Sequence, residues 1–228
     1  MLTAMDFNWF WNLTWIAFLA ALPSEFAVLP SHAQDRPGRI LYFTHAAGYR
    51  HEVIPASRDV LRKIGATAGF EVTASEDVTS FTAENLQHHG AVMFFTSGEL
   101  PMSNAQRVAF LDFVRRGGGF LAVHSATDTF YRWPEYQKLI GGYFDEHPWH
   151  QAVVVEVANR TNPLVAFLGT SLAVTDEIYQ IRDFDVDDSH VLLTRSRIGR
   201  PQPAQCALAS LWMAAGLDAV IRQRTHLL

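Results

Sequence analysis

The stretch that decides the fold is Gly117-Gly118-Gly119-Phe120-Leu121-Ala122-Val123-His124-Ser125-Ala126-Thr127-Asp128-Thr129-Phe130. A glycine cluster feeds an apolar run that stops abruptly at His-Ser-Ala-Thr-Asp. A short continuous apolar run bounded in this way reads as a strand buried on both faces. The polar cluster then lies at the strand's carboxyl end, where open α/β sheets bind their ligands. A second cluster, His147-Pro148-Trp149-His150, also precedes an apolar run. Both place chemistry-capable side chains on loops held by a rigid scaffold.

Working outward, residues 39–44 read as a first strand that ends in the loop Thr44-His45-Ala46-Ala47-Gly48-Tyr49-Arg50-His51-Glu52. Over 57–68, Val60, Ile64 and Ala68 recur every four residues with Leu61 beside them, which predicts a helix with that stripe inward. Gly69 is its stop. Residues 70–74 read as a second strand, Thr82 opens a short helix, and 91–95 form a third strand ending at Thr96-Ser97-Gly98-Glu99. Ser103-Asn104-Ala105-Gln106 is a capping box. Its helix carries Val108, Leu111 and Val114 on one side and ends at Arg116-Gly117, where basic residues suit the helix dipole. Strand and helix alternate throughout, the pattern of a parallel sheet with helices on both faces. Downstream, Pro134 opens a helix of one to two turns ending near Ile140. Strands follow over 151–157 and 190–194, with the short mixed segment Asp176-Glu177-Ile178-Tyr179 between them. From Arg195 the pattern breaks: 208–215 reads as a helix, and no apolar strand is expected after it.

The totals narrow the classes. With 228 residues, 49% hydrophobic and 18% charged, the chain can bury a sizeable core. Net charge is −5 with no basic stripe, so nucleic acid is not an expected partner. The single cysteine, Cys206, excludes an intrachain disulfide and any CxxC metal site. No GxGxxG follows a strand, so a nicotinamide cofactor is not expected. The apolar segment 15–22, Pro23 and Ser31-His32-Ala33 read as a signal peptide over 1–33, although its start lacks Lys and Arg and carries Asp6. The chain is then exported, periplasmic or extracellular, with a mature start near Gln34; without a signal peptide it is cytoplasmic. The expected organisation is signal 1–33, one α/β domain over 34–195, and a divergent tail over 196–228 that resembles translation in a shifted frame.

Four separated motifs resemble the trehalose-utilisation (ThuA-like) family: the loop 44–52, the stretch 117–130, Gly141-Gly142-Tyr143-Phe144 with 147–150, and 176–179. The resemblance spans about 39–194. It implies a flavodoxin-like three-layer sandwich with a mostly parallel sheet, like that of class I glutamine amidotransferases. Those enzymes place a nucleophilic cysteine after a strand of this kind; His124 stands there instead, so the resemblance does not carry thiol amidotransfer. The family's usual glycine-rich last strand and Gly-His turn find no match after Arg195.

Each candidate residue has a plain alternative. His124 and Asp128 are ligand or acid–base groups at a strand end, or caps of a turn and a helix. Ser125 is a nucleophile only on a strand–elbow–helix turn with a base at hand, and its neighbour His124 would point away; it otherwise lines the site. His45 and His51, with a carboxylate such as Glu52, suit a divalent, zinc-like ion, or are solvated loop histidines. Tyr49 shares their loop. His147 and His150 flank Trp149, which with Tyr131 and Trp133 offers an aromatic wall for the apolar face of a sugar ring, unless these rings are core. Glu177 and Tyr179 reach the pocket, or form a surface pair.

Two functions follow. The resemblance implies an enzyme of carbohydrate utilisation acting on a trehalose-like disaccharide or its keto derivative, by metal- or acid–base-assisted lyase, isomerase or hydrolase chemistry. The alternative is a non-catalytic sugar-binding module on a scaffold without the nucleophile. The geometric expectation is that His45, His51, His124 and Asp128 converge at the carboxyl edge of the sheet, because parallel strands open their following loops on one edge.

Overall fold

Along each central strand the side chains alternate between two apolar layers. Leu41, Phe43, Val92, Phe94 and Ala122 enter one buried cluster, and Tyr42, Met93, Phe95 and Val123 enter another. A strand with both faces covered needs helices on both sides. The computed structural model supplies them. It describes residues 38–184, 187 and 189–195, and the backbone of 211–213 and 217–221. The signal peptide read over 1–33 lies outside the described residues, as does Cys206.

The elements are β1 (Arg39–Phe43), α1 (Ile54–Ala68), β2 (Glu71–Ser75), α2 (Ala83–Leu86), β3 (Ala91–Phe94), α3 (Asn104–Arg115), β4 (Gly119–Val123), α4 (Pro134–Ile140), β5 (Tyr143–Glu146), β6 (His150–Val157), β7 (Ser171–Glu177), β8 (Gln180–Arg182), β9 (Leu193–Arg195), β10 (Leu211–Met213) and β11 (Leu217–Ile221). The main sheet runs β2-β1-β3-β4-β11-β10. Its first four strands are parallel and the last two antiparallel. Chain order reverses between β1 and β3, the switch point where a flavodoxin-like sheet opens its ligand crevice. α1 packs with the Tyr42–Met93 layer, and α3 and α4 with the Leu41–Phe94 layer. A three-stranded sheet, β7-β6-β9, and a two-stranded one, β5-β8, follow. The first of these has its own core of Val153, Val155, Val157, Val165, Ile178 and Leu193.

Two helix faces differ from the pattern read in the sequence. In α1 the buried stripe is Ile54, Ser57, Leu61 and Gly65, while Val60 and Ile64 face outward, Ile64 at 47% exposure. A serine and a glycine hide this stripe from a hydrophobicity reading. Both have packing reasons. The Ser57 hydroxyl meets Tyr42 Oη at 2.7 Å and donates to Ile54 O, and a Cβ on Gly65 would lie 2.5 Å from Phe70 O. In α3 the buried residues are Phe110 and Phe113; Leu111 and Val114 flank them, and Val108 is exposed. Phe110 stacks on Phe94 at 5.2 Å, and an aromatic of that size decides which face turns inward. The capping box forms as read, Ser103 N donating to Gln106 Oε1 and Gln106 N to Ser103 Oγ.

The tail also differs. Leu211–Met213 is a strand, not part of a helix, and Leu217–Ile221 lies antiparallel beside β4. The edge of β4 would otherwise present unpaired backbone donors and acceptors next to the site, and β11 satisfies them. Segments 143–146, 171–177 and 180–182 form strands, where the sequence pattern assigns only the short mixed segment 176–179.

The helix correction is testable. Leu61→Ala should lower unfolding free energy by about 2–4 kcal/mol, the usual cost of emptying a buried leucine site. Ile64→Ala should change it by less than about 1 kcal/mol. Urea denaturation of both variants measures the difference; equal losses would put Ile64 back on the inward face of α1.

Candidate functional site

His124 is the first residue after β4, and its φ of +49° is left-handed. That backbone costs a non-glycine residue roughly 1–2 kcal/mol, and such strain gathers at sites where surrounding structure enforces it. The kink starts a tight turn, His124–Asp128, and carries the imidazole out of the strand's alternation onto the sheet edge. His51 comes from the loop after β1, Glu177 is the last residue of β7, and Tyr179 lies between β7 and β8. Four side chains from three segments far apart in sequence therefore meet at one point.

That point is His124 Nε2. It lies 2.9 Å from His51 Nε2, 3.0 Å from Tyr179 Oη and 3.4 Å from Glu177 Oε2. The rings are walled by aromatic groups. Phe95 sits 5.5 Å from His51 and 5.7 Å from His124, Tyr49 meets His51 edge-on at 4.8 Å, and His147 stacks on Tyr179 at 5.4 Å.

Burial sets the charge state. It pushes His124 down from 6.5 to about 3, with repulsion from His51 and His147 adding to it. Burial also lowers His51, against the pull of the Glu177 and Asp128 carboxylates. Both imidazoles are thus neutral at physiological pH, and the His124–Glu177 contact, an ion pair only if His124 were protonated, is a neutral ring beside a carboxylate. Asp128 accepts a 2.6 Å hydrogen bond from Tyr131 Oη. Burial, then that bond to Asp128, raises the Tyr131 phenol far above its ordinary range.

The other candidate residues divide. Asp128 stands beside the cluster, fixed by Tyr131. Tyr49 is 68% exposed and Trp149 37%, both on the rim, and Trp149 O accepts from Ile178 N at 2.8 Å. His147 is exposed next to Tyr179, and His150 pairs across the strands with Glu177. Ser125 is fully buried, and its Oγ has no hydrogen-bond partner among the described residues. Two expectations need correcting. His45 does not join His51: its Nδ1 is bonded to Glu76 O at 2.8 Å and its ring lies over Phe43. Trp133 is core, 5% exposed among Phe110, Phe130 and Tyr136, so it cannot face a sugar. The carboxylate at the imidazoles is Glu177 rather than the exposed Glu52. Phe95 and Phe144 complete the walls. Phe95 is marked in the sequence only by its place at the end of the third strand, and Phe144 only by the Gly141-Gly142-Tyr143-Phe144 motif.

His51, His124 and Glu177 fit a divalent ion. One donor atom from each lies within 4.8 Å of the others. Two neutral imidazoles and a carboxylate are the ligand set of zinc-like and non-haem iron sites. Among the described residues, Glu177 Oε2 and His51 Nδ1 are buried without a hydrogen-bond partner, and a buried carboxylate oxygen left without one calls for a cation. Two imidazoles sharing a tetrahedral ion with bonds of about 2.0–2.1 Å stand roughly 3.3 Å apart, so the present 2.9 Å spacing would open by a few tenths of an ångström.

The family model described as "ThuA: Trehalose utilisation" matches residues 39–207, further than the span legible by motif. Among solved structures, a ThuA-like protein from Bacteroides uniformis is similar at 24% identity, with a TM-score of 0.60, over 71% of this chain and 69% of that one. Another, from Parabacteroides merdae, is similar at 18% identity and a TM-score of 0.56, over 70% of this chain and 68% of that one. These two likenesses support the fold. No curated protein matches the chain.

The depressed imidazole gives a pH test. His124 takes up a proton near 6.5 when unfolded and only near 3 when folded, so its stabilisation is complete above about 6.5 and is lost as pH falls toward 3. Metal-free protein should lose roughly 2 kcal/mol between about pH 7 and pH 5 from this group, with His51 adding in the same direction. His124→Gln should flatten that slope in urea denaturation; an unchanged slope would show that His124 titrates normally.

Proposed function

The chain belongs to the trehalose-utilisation (ThuA) family, and we propose that it is an enzyme acting on a trehalose-like disaccharide or its keto derivative, with a divalent metal ion held by His51, His124 and Glu177. One observation carries the reading. A second neutral imidazole, a phenol and a carboxylate oxygen without a hydrogen-bond partner among the described residues crowd the neutral His124 Nε2 at the crevice edge of the sheet. A purely structural cluster would satisfy its own polar atoms.

The bound ion would polarise a carbonyl or hydroxyl oxygen of the sugar. The chain's own groups supply the rest. Tyr49 and Trp149 offer exposed rings to the C–H face of a pyranose, as sugar sites with apolar walls and a few polar groups require. Tyr179 Oη, at 3.0 Å from His124 Nε2, is placed to hydrogen-bond an oxygen arriving there. Asp128, held by Tyr131, is the second carboxylate and the candidate proton acceptor. His147, exposed and stacked on Tyr179, is placed to exchange protons with solvent.

The exposure of Tyr49 and Trp149 also favours a second reading, a sugar-binding module without chemistry. Metal analysis separates the two. Calorimetric titration of chelator-treated protein should show one zinc-like ion per chain. His124→Ala and Glu177→Gln should each weaken it by more than the ~10–100-fold typical of outer-shell changes, because they remove ligands. Keto-disaccharide followed by NMR should be converted by the loaded protein and not after chelation. Sugar bound unchanged, with or without metal, would select the binding module.

A further inference from the structure

The loop that carries His51 has no regular structure from Thr44 to Val53 beyond a single bridge at Ala46, yet His51 meets His124 at hydrogen-bond distance. Something outside both loops must set that spacing. The segment after β3 touches both. On one side, Ala47 N and Gly48 N donate to Ser97 O at 2.8 and 3.1 Å, and Ser97 Oγ donates to Tyr49 O at 2.6 Å. On the other, Gly98 N donates to Asp128 O at 2.6 Å, Phe130 N donates to Gly98 O at 3.2 Å, and the Thr96 and Thr129 hydroxyls lie 2.9 Å apart. Isolated parallel bridges join Ala46 to Ser97 and Gly98 to Thr129. The pairing of β1, β3 and β4 thus continues past the strand ends as a strap two residues wide.

We propose that Ser97 and Gly98 are positioning residues that hold the His51 loop against the His124–Asp128 turn and so set the spacing of the metal ligands. This rests on the metal reading above and adds the part of the chain that makes the site. Gly98 is the critical residue. Its φ is +76°, and a Cβ there would lie 2.6 Å from Gly48 N and 2.9 Å from Ala47 C. Ordinary contact begins at 3.4 Å, so the His51 loop would have to retreat by the difference, about 0.8 Å. Metal–ligand distances tolerate only about 0.2 Å, so that retreat separates the ligands well before it unfolds the domain.

The structure contains its own control. Gly117 has a φ of +86°, and a Cβ there would meet no atom of the described residues within 4 Å. Gly117→Ala therefore brings the same kind of left-handed strain as Gly98→Ala without the collision. The experiment is a Co(II) titration read by its visible absorption, with thermal melts, on the full chain and both variants. Gly98→Ala should bind Co(II) about 10–100-fold more weakly, with a changed ligand-field band, whereas Gly117→Ala should lower the melting temperature similarly and bind as the native chain does. Native-like binding by Gly98→Ala, or equal weakening in both, overturns the proposal. If Gly98→Ala does not fold, Gly48→Ala, whose Cβ would lie 3.3 Å from Gly98 N, should weaken binding less but in the same direction; native binding there overturns it as well. If the native chain binds no Co(II), the metal reading falls. The strap is then judged by the proton NMR contact between the His51 and His124 rings, which should vanish in Gly98→Ala and persist in Gly117→Ala; its persistence in both overturns the strap.

Discussion

One nitrogen cannot serve three neighbours. His124 Nε2 carries either a proton or a lone pair, and His51 Nε2, Tyr179 Oη and Glu177 Oε2 all crowd it. A proton shared between the two imidazoles leaves the carboxylate oxygen buried and unpartnered. Leaving such a group unsatisfied costs on the order of 1–3 kcal/mol, and more when it is charged. The left-handed backbone at His124 adds strain. A single cation would relieve the unpaired carboxylate, and this unsatisfied arrangement is what the rest of the sheet edge is built around.

The sheet makes the arrangement tolerable by holding it still. Its strands are covered on both faces, with Phe43, Phe94 and Val123 buried, so their carboxyl ends cannot shift independently. The strap at Ser97 and Gly98 extends that rigidity one step past the strands. The smaller sheet then delivers Glu177 and Tyr179 from a separate core. A site spread over several segments is held by strand ends, a short turn and a loop that the strap ties down.

Much of the main domain is legible in the sequence because the signals are local. The capping box at Ser103, Pro134 at a helix start, Gly69 at a helix stop and the run before His124 each name their structure within a few residues. The inward face of α1 is not legible, because its contacts are made by Ser57 and Gly65, which no hydrophobic pattern counts. The site is half legible. That strand ends bear ligands points to His51 and His124, but the same argument points equally to His45, whose partner Glu76 O is a backbone atom 31 residues away and leaves no mark in the sequence. Trp133 misleads because a tryptophan that lines a pocket and one in a core look alike in sequence without the packing of Phe110 and Tyr136. The strand at Leu217–Ile221 escapes the pattern because an antiparallel closing strand need not follow the alternation that marks the parallel ones.

Whether His51, His124 and Glu177 are ligands of one ion is tested most directly by anomalous diffraction at the zinc edge, from crystals grown with zinc. The account predicts one strong peak bonded at about 2.0–2.2 Å to His51 Nε2, His124 Nε2 and a Glu177 oxygen, with the two imidazole nitrogens moved apart from their 2.9 Å contact. A peak elsewhere, or no peak while the two rings stay hydrogen-bonded to each other, would contradict it.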